Sequence, residues 1–213
     1  MATRLDSRSK YNIILFGLSF CYIFVIGWFT QGRDLIEVYF AFLSLIILFS
    51  VFTIRSTGAV WFYVPIALVI LTWFGELLHF DMLSWISGYL AILFFLFVIV
   101  LLVIRVARSH QVGLREFLES INVYLLLGIA GSILFNQVAQ RDPGAFNYPA
   151  DSVPGRLDFI YYSFVTMTTL GYGDITPAEP GARVLSMFFS VTGQLYLTMI
   201  IALLVGKYLS QKE

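Results

Sequence analysis

The sequence predicts an all-α membrane protein: six transmembrane helices, with a further short helix and loop that dip into the bilayer and return. Three observations lead there. Of 213 residues, 59% are hydrophobic and 12% charged, with a mean hydropathy of +0.86, which is more apolar surface than one soluble core can hide. Six stretches approach the roughly 20 apolar residues needed to cross a hydrocarbon core about 30 Å thick. The segment "TMTTLGYGDITP", Thr166 to Pro177, interrupts that pattern with glycines and polar groups.

The first ten residues carry Arg4, Arg8 and Lys10 ahead of an apolar run. The run from Ile13 to Phe29 is too long for a signal-peptide core and no small-x-small cleavage site closes it. Residues 1–11 therefore read as a cytoplasmic N-terminus and 12–30 as a retained first helix. Helices follow at 36–54, 59–78 and 86–106. Their linkers, "TQGRDLIE", "RSTG" and "HFDMLSW", are short, so neighbours pack antiparallel and 12–106 forms a four-helix peripheral bundle. In the linker 107–118 and just beyond, Leu114, Phe117, Leu118 and Ile121 recur at helical spacing beside Arg115, Glu116 and Glu119, the pattern of a helix lying along the membrane surface. A fifth span at 119–139 opens a second region, 119–208, which ends in a sixth span at 180–207. Residues 209–213 read as a cytoplasmic tail, too short for an appended ligand-binding domain. The segment 136–156, rich in Pro, Gly and polar residues, reads as an external turret.

Thirteen basic and thirteen acidic residues balance, so bulk charge gives no reason to expect a nucleic-acid partner. Their placement says more. With a cytoplasmic N-terminus, nine basic residues fall inside (Arg4, Arg8, Lys10, Arg55, Arg105, Arg108, Arg115, Lys207, Lys212) and four outside (Arg33, Arg141, Arg156, Arg183). The positive-inside rule thus predicts a multi-pass protein of the cell membrane, surrounded by lipid, with both termini cytoplasmic. Asp142, Asp151, Asp158, Asp174 and Glu179 would then bias the external mouth toward cations. The lone Cys21 supports neither a disulfide nor a cysteine metal site within one chain. No nucleophile–base pair, phosphate loop or metal cluster stands out, so enzyme chemistry and a cofactor are not expected.

Between Pro143 and Pro180 the chain concentrates five of its six prolines. From about Asp158 to Thr168 it is helix-compatible for roughly 16 Å, half the bilayer core. An extended run from Thr169 to Gly173 covers at most about 16 Å on the way back, so the lengths suit a re-entrant loop. Irregular backbone at that depth must line a wet cavity or be buried in protein. Gly171 and Gly173 reach left-handed dihedrals readily, and alternating them with ordinary residues turns successive carbonyls the same way. Such a column is a ligand set for a dehydrated monovalent cation. The Thr169 hydroxyl would add an oxygen layer at the inner end, and Asp158 would cap the short helix. Tyr172 would face back into protein, braced by Tyr161 and Tyr162.

"TMTTLGYGD" resembles the potassium-channel signature, Thr-(Val/Leu/Ile)-Gly-Tyr-Gly-Asp between a pore helix and an inner helix. The likeness covers about 119–208, in a layout like that of bacterial members without a charged voltage-sensor helix. It implies a filter of Thr169, Leu170, Gly171, Tyr172 and Gly173, with K+ as permeant ion at Thr169, Leu170, Gly171 and Tyr172. It also implies a homotetramer, one loop per chain, and support of the filter from Thr168, Val165, Asp174, Tyr161 and Tyr162. Val165 stands where some bacterial members carry a glutamate that pairs with the aspartate corresponding to Asp174, so filter stability and inactivation are expected to differ. Leu170 replaces the commoner valine, but its ligand is its carbonyl.

Residues 85–104 contain no basic residue. A sensor needs several, since each charge moved is worth about 2.3 kcal/mol per 100 mV, so strong voltage gating is not expected. Gly193 falls where the family's inner helix often has a hinge glycine; close helix packing explains it equally well. Gln194 and Thr198 either line a cavity or bond neighbouring helices. Glu76, His79 and Asp81 could sense protons or divalent ions, but solvated loop residues explain them more simply, as they do His110. The alternatives to a potassium-selective channel are a non-selective monovalent cation channel, a modulatory subunit of another channel, and an uptake-transporter subunit.

Overall fold

The computed structural model describes residues 7–29, 36–54, 60–78, 81–109, 113–149 and 154–210. These are helical apart from two short strands and connecting turns, and the chain divides into two compact units, Met1–Val123 and Tyr124–Glu213.

In the first unit, α1 (Ser7–Phe20) passes through a π-helical turn (Cys21–Val25) into α2 (Ile26–Phe29), with right-handed helical dihedrals at Phe20 and Ile26. The three segments make one rod over the predicted first span. The helices α3 (Ile36–Ile54), α4 (Val60–Leu77) and α5 (Asp81–Arg108) come next. Tyr11 stacks on Phe52 of α3 at 5.5 Å, and Tyr22 meets Tyr39 edge-on at 5.7 Å. Along α5, Phe95, Val98, Ile99, Leu102 and Val106 are buried while Leu90, Leu93, Phe97, Val100 and Ile104 are exposed. Both stripes are apolar, as expected where lipid replaces water on the outer side.

Arg105, at the end of α5, donates to the main-chain carbonyl of Thr53, one of the carbonyls that the last turn of α3 leaves without a helical partner. The ends of α3 and α5 therefore adjoin. At the start of α1, Asn12 Nδ2 donates to Glu119 Oε1 at 3.1 Å, Arg115 Nε donates to the same oxygen at 3.1 Å, and Asn122 Nδ2 donates to the Asn12 carbonyl at 2.9 Å. Glu119 is buried, and a carboxylate removed from solvent needs such partners.

That network bears on the stretch expected as a separate surface helix at 107–118. Residues 107 and 108 close α5, while α6 (Leu114–Arg141) begins at Leu114 and continues unbroken past 119. Glu119, Ser120 and Asn122 are buried, so this end of α6 packs against α1 within the protein. His110 and His79 lie outside the described residues, as do the side chains of Glu76 and Asp81.

The second unit holds the rest of α6, then β1 (Phe146–Asn147), α7 (Arg156–Met167), β2 (Thr176–Pro177) and α8 (Pro180–Ser210). Its core centres on Phe135, whose ring meets Tyr162 at 4.9 Å, Phe189 at 5.5 Å and Phe146 at 6.0 Å. Small residues let α7 come close to α6: the Phe164 ring occupies the space where a Gly128 side chain would project, and Ser163 Oγ does so at Gly131 while donating to the Gly128 carbonyl at 2.7 Å.

Among the described residues, four helical segments are long and apolar enough to cross a membrane: Ser9–Phe29, Gly88–Arg108, Arg115–Arg141 and Pro180–Leu203. Shorter apolar segments occupy Glu37–Thr53 and Tyr63–Gly75.

Candidate functional site

The site is built on α7, a helix of 12 residues, about 18 Å long at 1.5 Å per residue. Gly155 is its N-cap, and the Gly155 N–H donates to Asp158 Oδ2 at 2.7 Å. Asp158 thus satisfies one of the amides left open at the helix start.

The C-terminal end of α7 is tied off by the loop residues next to it. The last four carbonyls of a helix lack intrahelical donors, and here each finds one nearby. Phe164 O accepts from Thr168 N at 2.9 Å and from Thr168 Oγ1 at 2.6 Å. Val165 O accepts from Leu170 N at 3.0 Å, and Thr166 O from Thr169 N at 3.1 Å. Met167 O lies 3.4 Å from Gln194 Nε2 of α8. Thr168 to Leu170 are thereby folded back onto the helix end, which fixes where the loop begins.

Beyond that point the backbone alternates. Thr169, Gly171 and Gly173 have φ of +59°, +56° and +81°, whereas Leu170 and Tyr172 have no positive φ. The glycines adopt this conformation freely. Thr169 does not: it is the one non-glycine residue with positive φ among the described residues, and for a β-branched side chain that is a strained state worth about 1–3 kcal/mol. Its hydroxyl donates to the Thr168 carbonyl at 2.6 Å, which leaves the oxygen's lone pairs available to a cation. From Thr168 to Asp174 all residues are exposed in the single chain.

Tyr161 and Asp174 hold the outer side. Tyr161 Oη donates to Asp174 Oδ2 at 2.7 Å, and Ile175 N donates to Asp174 Oδ1 at 3.0 Å. The hydrogen bond to Asp174 is the first cause raising the Tyr161 phenol to about 12, with loss of solvent adding to it. The same bond is the first cause holding the Asp174 carboxyl below its ordinary range, partly opposed by desolvation. The Tyr161 and Tyr172 rings are parallel, 4° apart with centroids at 6.4 Å.

The bracing expected at Tyr172 is therefore divided. Tyr161 reaches both Tyr172 and Asp174, while the Tyr162 hydroxyl pairs with Ser186 at 2.7 Å and its ring packs on Phe135 and Phe146. Tyr162 belongs to the core rather than to the Tyr172 ring. Val165 is buried and meets the loop through its carbonyl. Tyr161 is the partner of Asp174 that sequence reasoning missed; a hydroxyl thirteen residues before a carboxylate has no periodicity to betray it. At Gly193 a Cβ would lie 2.8 Å from Met167 O, and α8 runs unbroken through this position. The structure thus shows a close crossing of α8 over the end of α7 there.

The turret returns to the site. Phe146 pairs with Pro177 and Asn147 with Thr176 in an antiparallel two-residue ladder, and Ala145 O accepts from Ala178 N at 2.8 Å. Asn147 Nδ2 also donates to Thr176 Oγ1 at 3.2 Å.

Residues 123–210 match a family model described as "Ion channel", a family of channels and not of enzymes. The chain is 32% identical over 91 residues to the two pore potassium channel c of Oryza sativa subsp. japonica, covering 43% of this chain and 19% of that protein. It is 38% identical over 53 residues to the voltage-gated potassium channel of Aeropyrum pernix, covering 25% of this chain and 18% of the other. It is 53% identical over 36 residues to potassium channel K1 of Plasmodium berghei, covering 17% and 2% respectively. In each case the chain spans less than a fifth of the relative's own length.

Proposed function

We propose that this chain, whose residues 123–210 match an ion-channel family model and which is similar to potassium channels there, forms a homotetrameric pore passing K+ passively and selectively. One loop supplies one wall. Four copies around an axis would present rings of carbonyls from Thr169, Leu170, Gly171 and Tyr172, with the Thr169 hydroxyl at the inner end, in place of the ion's water shell. Gly173 would close the outer end. The observation that carries this reading is the alternation of positive φ at Thr169, Gly171 and Gly173, in a loop whose start is tied to the end of a half-span helix.

Assembly is supported by what a single chain leaves uncovered. Val184, Met187, Phe188, Val191, Leu195 and Met199 are all more than half exposed along one stripe of α8, a surface for neighbouring copies and the inner pore. In the six-span topology proposed here, α3 and α4 are the second and third spans. With 19 and 18 residues they reach about 28 and 27 Å, close to the thickness of the hydrocarbon core.

Voltage sensing of the S4 type finds no support, because the stretch 85–104 is without basic residues and Arg105 is engaged with Thr53. The test is ion flux from proteoliposomes alongside the mass of the purified particle. K+-driven flux with Na+ excluded, from a particle of four chains, is expected. Equal Na+ and K+ flux would favour a non-selective channel, and silence from a monomer or dimer would favour a modulatory subunit.

A further inference from the structure

We propose that Asn147 and Phe146 are positioning residues for ion selection: the turret strand clasps the chain leaving the filter and holds its outer end in register. This rests on the channel reading above. The inner end of the loop needs no such device, since Leu170 and Thr169 are already bonded to carbonyls of α7. The outer end has left the helix behind. Asp174 is held from the helix by one phenol, Tyr161, and locally by the N–H of its neighbour Ile175, and the chain then runs out through Ile175 to Glu179 before α8 begins.

It is over this exit limb that β1 lies. Asn147 and Thr176 are register partners and are joined again through their side chains at 3.2 Å. The Ala145 carbonyl receives Ala178 N and, at 3.3 Å, Glu179 N. A two-residue ladder has little stability by itself, so β1 needs an anchor. Phe146 provides it: 3% exposed, its ring meets Tyr162 at 5.4 Å, Phe159 at 5.7 Å and Phe135 at 6.0 Å. Those three rings come from α7 and α6. The exit limb is thus referenced to the same helix that fixes the inner end, and the filter is held from both ends against one scaffold. Pro177 carries no N–H, so it is tolerated only at the edge of such a ladder, which leaves the Asn147–Thr176 pair with much of its holding strength.

The clasp can be opened and closed in one protein. Register partners in an antiparallel pair lie about 4.5–5.5 Å apart at Cα, within disulfide range. The full-length variant N147C/T176C, with Cys21→Ser to remove the other thiol, is measured in planar bilayers under reducing and then oxidising conditions, beside wild type and N147A. The Na+-to-K+ permeability ratio is the readout, because general loss of folding lowers current without changing that ratio. The reduced form and N147A are expected to be about threefold more permeable to Na+ relative to K+ than wild type, the scale of one cross-strand pair. Oxidation is expected to restore the ratio. An unchanged ratio between reduced and oxidised forms, with the cross-link verified by mass, overturns the proposal. If wild type carries no K+ current, the channel reading fails separately and amide exchange at 171–175 decides the clasp: slower exchange on oxidation supports it, equal exchange overturns it.

Discussion

Thr169 spends conformational energy where a glycine would not, and the structure shows why it stays: its N–H reaches Thr166 O, its hydroxyl reaches Thr168 O, and the next residue bonds Val165 O. Gly171 has no such bracing side chain, and nothing lies within 4 Å of where its Cβ would project. Within its own chain, Gly171→Ala therefore tests backbone conformation without a steric clash. At φ +56° it is expected to introduce about 1–2 kcal/mol of strain per copy, read as lost K+ protection against thermal dissociation.

The Tyr161–Asp174 bond sets a pH window. Asp174 is depressed, so the support it gives is complete above the ordinary carboxylate value of about 3.9 and is lost as pH falls through the lower folded value. Tyr161 is raised, so its share is complete below about 10 and is lost as pH rises through about 12. Selectivity is expected to stay flat from external pH 5 to 9. Tyr161→Phe is expected to lower K+ selectivity throughout that window; bi-ionic currents across the pH series check both.

Elements carry the question of Gly193. A hinge and a packing contact give different outcomes on substitution. Since a Cβ would press on the Met167 backbone, Gly193→Ala is expected to destabilise the assembly by about 1–3 kcal/mol per copy, the usual effect of overpacking. Gly206→Ala, on the same helix with nothing of its own chain within 4 Å of its Cβ position, is the comparison expected not to lower the melting temperature, since alanine favours a helix over glycine. Equal melting temperatures for both variants would return Gly193 to the hinge reading.

Much at this scale was legible beforehand. The apolar runs placed the helices to within about five residues at their ends, because membrane spans are set by length and composition. The half-span before "TLGYGD" predicted α7 for the same reason. The continuity of α6 through 119 was not legible, since one of the two partners that allow Glu119 to be buried is Asn12, over a hundred residues away. Nor was the ladder between 146–147 and 176–177: two residues carry no period, and Phe146 reads as an ordinary turret residue until its ring is seen among Phe135, Phe159 and Tyr162.

For the whole molecule, the first unit, Met1–Val123, is expected to respond little to voltage. Arg105 lies near the end of its apolar span and donates to a carbonyl of α3, and residues 85–104 carry no basic residue, so Arg105→Gln is expected to weaken this unit without steepening or flattening the relation of open probability to voltage. Single-channel recording over both polarities checks this. The proposed pore takes one loop from each of four copies, and in the single chain the loop residues and the α8 stripe are exposed.

The measurement closest to that claim is the reversal potential of the purified full-length protein in a planar bilayer with K+ on one side and Na+ on the other. A value close to the K+ equilibrium potential is expected from a filter held as Thr169, Gly171 and Gly173 hold it. A value near zero with robust current would contradict it, showing that the loop conducts without selecting.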